Sequence, residues 1–117
     1  MVKKGGRSRI VLVTCATAAE ARRIAGTVVG EQLAACVNIV LSPVESLYRW
    51  KGKVERAREY LLVMKTTSKR LAALENEVKR LHSYDVPEFI ALPITEGSKK
   101  YLLWLEESVA KARKNRK

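Results

Sequence analysis

Hydrophobic and polar positions along the chain fall into two alternating registers. Arg9–Cys15 (RIVLVTC) is a β-branched run of central-strand character. It stops at Thr17-Ala-Ala-Glu20, a Thr-x-x-Glu capping box that would satisfy unpaired N–H groups at a helix start. From Ala18 to about Leu33, Ala21, Ile24, Ala25, Val28 and Leu33 keep helical spacing, while Arg22, Arg23 and Glu31 hold the other side. Gly26 and Gly30 either weaken this helix or let it pack closely on a sheet. A second extended region starts at Ala35, breaks at Ser42-Pro43 and resumes as ESLYRW; Pro43 suggests a bulge or an edge position. Lys51-Gly52 turns the chain into KVERAREYLLVMKT, a return strand with apolar residues on both faces. Thr66–His82 reads as a second helix with a Leu71, Leu74, Val78, Leu81 stripe, followed by Pro87, the strand EFIALPI and a helix from about Ser98.

The order β-α-β-β-α-β plus a C-terminal helix predicts an α+β, ferredoxin-like antiparallel sheet. Right-handed crossovers put the first and third strands in the centre and both helices of the repeat on one face. The apolar second face then needs a cover, either the C-terminal helix or another subunit. In this topology Cys15 and Cys36 sit at opposite sheet ends, roughly 20 Å apart, too far for a disulfide. Cys15, His82 and the Trp50–Lys53 hairpin tip share one end.

At 117 residues, 47% hydrophobic and 30% charged, the chain fits one globular domain over residues 9–110. No apolar run approaches the roughly 20 residues of a membrane span. MVKKGGRSR leads into charged sequence too soon for a signal peptide, and a cytoplasmic location is expected. The net charge of +11 concentrates at the ends: residues 1–8 and 111–117 read as basic flexible tails, solvated or able to hold nucleic acid or anionic lipid by counterion release. Three Asn and one Gln in the whole chain is a thermostable composition.

Catalytic signals are sparse. No phosphate-binding glycine loop is present, one histidine gives little scope for acid–base pairing, and no oxyanion motif accompanies a Cys15–His82 nucleophile–base pair. An enzyme is not expected. A thiol and an imidazole at one sheet end suit Cu(I), Cu(II) or Zn(II), with Asp85, Glu88 or a neighbouring subunit completing the set. The plain alternative makes Cys15 a small core residue and His82 a helix C-terminal residue. Base stacking on the sheet, as in RNA-recognition modules, is disfavoured because the central strands lack the aromatics.

Five segments in order, LAACVNI (33–39), SLYRWKGKVE (46–55), MKTT (64–67), HSYDVPEFIALPI (82–94) and Gly97-x-x-x-YLxW, resemble the CutA divalent-cation-tolerance family across residues 9 to 109. The resemblance implies a PII-like homotrimer, with hairpin arms pairing across subunits, that is metal-responsive and not enzymatic. It further implies copper or another divalent cation as ligand, not needed for folding, with Cys15 and His82 as the metal positions. Ser83 stands where the family usually has a proline, and Leu81 where some members carry a second histidine. An inter-subunit cleft holding Lys65, Tyr84 and Glu88 is the expected ligand site, for a cation or, alternatively, for a small anion or metabolite.

Overall fold

The structure, a computed structural model, describes residues 1–111. Four strands form the main sheet: β2 (Ser8–Cys15), β3 (Cys36–Ile39), β5 (Lys53–Thr67) and β6 (Ile90–Pro93), in the order β3-β5-β2-β6. All neighbours are antiparallel, so β2 and β3 run parallel and the ferredoxin-like arrangement holds. Helices α1 (Ala18–Gly30) and α2 (Leu71–Leu81) bury one face. Val11, Val13 and Cys15 of β2 and Leu62 and Met64 of β5 are fully buried there against Ile24, Val28, Leu74 and Val78.

Helix α1 begins as the Thr17 spacing predicts, with the Thr17 side chain accepting from the Glu20 N–H at 3.1 Å. It ends three residues early. Gln32 adopts φ 60°, and the Leu33 and Ala34 N–H groups fold back onto the Val28 carbonyl, closing the last turn. A Cβ at Gly26 or Gly30 would meet nothing within 4 Å, so neither glycine serves close packing. The second helix also starts late, because Ser68–Arg70 form a 3-10 turn before α2. The final helix, α3 (Lys99–Ser108), is capped by Ser98 and packs against β2 and β5, burying Leu102 and Leu105.

The first eight residues are not a flexible tail. Strand β1 (Val2–Lys4) pairs antiparallel with β7 (Glu96–Ser98), and Ser8 already belongs to β2. The Gly5-Gly6 pair permits this: a Cβ on Gly5 would lie 1.6 Å from the Ile94 carbonyl oxygen, and Gly6 takes φ +55°. Of the expected C-terminal tail, residues 112–117 lie outside the described residues.

Strand β4 (Val44–Trp50) pairs only with the first half of β5, forming a two-stranded arm turned by Lys51 (φ 51°) and Gly52 (φ 79°). Tyr60 faces Cys15 in the register, so the tip at Lys53 stands seven residues, about 24 Å, beyond Cys15 rather than beside it.

The sheet's second face is only partly covered. Ile10, Leu12, Leu61 and Val63 are half-buried on it, and at its edge Ile90 and Leu92 are 48% and 44% exposed. Among the described residues no helix is long and apolar enough to cross a membrane.

Candidate functional site

Strand β2 delivers Cys15 to the same end of the sheet as His82, the residue that caps α2, as the topology requires. Both side chains are buried, and each is committed to the protein. His82 Nε2 donates to the Thr14 carbonyl at 2.7 Å, and Nδ1 accepts the Tyr84 backbone N–H at 3.1 Å. These two bonds fix the Nε2–H tautomer and leave no free lone pair on the ring. Cys15 lies in the apolar core, where burial, then Glu20 and Glu59, push its thiol up to about 12. To ligate a metal, a cysteine must be a thiolate and a histidine must have an open ring nitrogen. Among the described residues no group of three or more His, Cys, Asp or Glu is disposed to hold an ion. Cys15 and His82 therefore do not fit a metal in this conformation; they act as core residue and strut. With Cys36 replaced by Ser, Cys15 is expected to resist a thiol reagent at pH 8 and to react once guanidinium unfolds the chain. Rapid native labelling would contradict that placement.

Ser83 has a role that a proline could not fill. Its backbone N–H donates to Glu20 Oε2 at 2.6 Å and its hydroxyl to Oε1 at 3.1 Å, while Oε2 also lies 3.5 Å from His82 Nδ1. Glu20 thus completes only half of the predicted capping box. Its carboxylate, 5% exposed, ties the start of α1 to the segment after α2 instead of returning to Thr17.

Next to this joint opens a cavity of about 680 Å³ between the arm and residues 84–88. Four carboxylates line it, Glu45, Glu59, Asp85 and Glu88, together with the rings of Tyr48, Trp50 and Tyr84. Among the described residues no Lys or Arg lines it, though Arg56 Nε lies 3.3 Å from Glu45 Oε2. The Tyr84 hydroxyl donates to Glu59 Oε2 at 2.8 Å. Burial, then that bond to Glu59, holds the phenol above its ordinary value. Burial and the nearby Glu59 likewise raise the Glu88 carboxyl. Negative charge crowded into a half-enclosed space favours cations there.

Of the three residues expected in a cleft, Tyr84 and Glu88 line this cavity and Lys65 does not. Lys65 pairs with Ile10 and Cys36, five residues along β5 from the level of Cys15, and its ammonium contacts Asn38 Oδ1 and lies 4.0 Å from Cys36 Sγ. The strand register separates them. Glu45 and Glu59 have no motif around them, and the capping-box spacing of Glu20 points it to Thr17 and not to Ser83. Only the pairing of β5 with β2 and β4 brings Glu59 beneath Tyr84.

Residues 9–108 match the family described as CutA1 divalent ion tolerance protein. The chain is 50% identical over 99 residues to the divalent-cation tolerance protein CutA of Thermus thermophilus, covering 85% of this chain and 95% of that one. It is also 50% identical over 101 residues to the chloroplastic protein CutA 1 of Oryza sativa, covering 86% of this chain and 56% of the relative. The chain thus spans just over half the length of that relative and of the Arabidopsis thaliana protein, 55% of which it covers. Among solved structures, Thermus thermophilus Cut A1 superposes with a TM-score of 0.84 at 48% identity over 86% of this chain and 97% of that one. The Archaeoglobus fulgidus CutA, described as periplasmic, gives 0.83 at 40% identity over 87% and 98%. Fold, segment order and sequence agree, and the chain belongs to the CutA1 divalent ion tolerance family.

Proposed function

We propose that the chain is a non-enzymatic, cytoplasmic cation-responsive module that works as a homotrimer. The observation that carries this reading is the carboxylate-lined cavity, a pocket of negative charge on a chain of net charge +11. Its relatives are described as divalent-cation tolerance proteins, which agrees with a cation as the ligand. Copper or another divalent ion would be drawn by Glu59 and Glu88. Water or groups from a neighbouring copy would complete the shell, since the described residues of one chain do not bring three such ligands together. Assembly is supported by the half-covered apolar sheet face, where Leu12, Val63 and Ile90 align across three strands. A closed ring of copies would remove that face from water.

Calorimetric titration of the full chain with Cu(II) and Zn(II) tests the cation reading. Cys15→Ser and His82→Gln are expected to leave stoichiometry and affinity unchanged, whereas Glu59→Gln with Glu88→Gln should weaken binding at least tenfold. Binding lost in folded Cys15→Ser, or retained in the carboxylate double variant, would overturn the assignment.

A further inference from the structure

The chain's positive charge is gathered on one end of the fold. Lys3 and Lys4 on β1 lie beside Lys99 and Lys100, because β1 pairs with β7 and the Lys99 N–H bonds the Met1 carbonyl at 2.7 Å. A second group forms at the other end of α3. The Arg7 carbonyl accepts the Ser68 N–H at 2.7 Å, which sets Arg7 beside Lys69. Arg70 reaches the carbonyls of Val109 and Ala110, each at 2.7 Å, so Lys111 joins this group. With Arg9, this end holds nine Lys/Arg against Glu96, Glu106 and Glu107. The other described residues hold ten Lys/Arg against nine Asp/Glu, almost a balance. Lys3 is partly offset by Glu106 at 3.9 Å; Lys4, Arg7, Lys69, Lys99, Lys100 and Lys111 are exposed.

Helix α3 joins the two groups. Its ten residues span about 15 Å, and along it Tyr101 and Trp104 are 41% and 44% exposed, their rings 5.3 Å apart. Lys100 precedes Trp104 by one helical turn and shares its face. Cations at both ends of a helix with exposed rings between them meet the requirements of a single nucleic-acid strand. Phosphates are held by ammonium and guanidinium groups, and bases stack on aromatic faces without regard to sequence.

We infer that the basic end built by β1, the Ser68–Arg70 turn and α3 is a binding surface for single-stranded nucleic acid, read through its backbone and by stacking. The surface is a folded one and not a pair of tails: the cations of residues 3–9 are fixed by the β1–β7 pairing and the start of β2. A duplex offers the same charge but no free base face to Trp104. An anionic bilayer offers charge, and α3 exposes Leu103 beside the rings, but a bilayer has no base face to stack on Tyr101 and Trp104.

Fluorescence anisotropy of a labelled 20-nucleotide oligo-dT with the full chain tests this. If four to six phosphates are neutralised, affinity falls roughly 50- to 300-fold between 50 and 200 mM salt. Lys99→Glu with Lys100→Glu, and separately Arg7→Glu with Lys69→Glu, should each weaken binding at least tenfold with unchanged circular dichroism. Trp104→Ala should weaken the single strand more than a duplex of equal length. No binding at 50 mM salt, or salt-independent binding, would overturn the inference. So would charge reversals without effect while removal of residues 112–117 alone abolishes binding, and so would equal competition by phosphatidylserine vesicles.

Discussion

Glu20→Ala is expected to lower the unfolding free energy by roughly 2–4 kcal/mol, read as a shift in the guanidinium midpoint at fixed protein concentration. The carboxylate accepts two hydrogen bonds from Ser83 and is nearly excluded from water. Bonds to a charged acceptor contribute about 1.5–3 kcal/mol each, and their loss strands donors in a partly buried segment. Glu20→Gln keeps one acceptor oxygen but turns an amide toward the Ser83 donors, so its cost should lie between wild type and alanine. Ser83→Pro, which deletes the N–H and the hydroxyl together, should resemble Glu20→Ala and add little to it, because both break the same contact. A midpoint unchanged in Glu20→Ala would mean that this joint does not stabilise the fold.

The second large effect concerns assembly. Leu12→Asp with Val63→Asp should reduce the mass found by light scattering from about three chains to a single chain of 13.2 kDa, with far-ultraviolet dichroism retained. These side chains face each other across β2 and β5 on the half-covered side. In an isolated chain a carboxylate there still reaches water. In a ring that buries the face it would be an unpaired charge in an apolar contact, which costs several kcal/mol per ion. An unchanged oligomeric mass would place the interface elsewhere. A wild-type chain that is already a monomer would remove the trimer from the proposed function.

Elements and their order follow from local pattern alone. The β2 alternation, the Thr17 cap and the α2 stripe each specify their element within a few residues. Two features escape that logic because contacts that no pattern encodes decide them. Val2-Lys3-Lys4 is too short and too charged to predict a strand, and it becomes one only because a glycine lets it approach Ile94 and β7. Topology puts His82 at the Cys15 end of the sheet, but pattern cannot show that Thr14 and Tyr84 occupy both ring nitrogens. Proximity of ligand-type residues is readable from strand order. Their availability depends on individual hydrogen bonds, here one with Thr14, 68 positions away, and one with Tyr84, two positions on.

The β1–β7 pairing also bears on the order in which the chain folds. The arm closes through a two-residue turn, a local event on the microsecond scale. Val2 must find Ser98 across nearly the whole sequence, and that ordering entropy is recovered only after β2 and β6 have brought the two segments close. The clasp at the amino terminus is thus a late event, formed on a sheet already in place, and the first part to open when the protein frays.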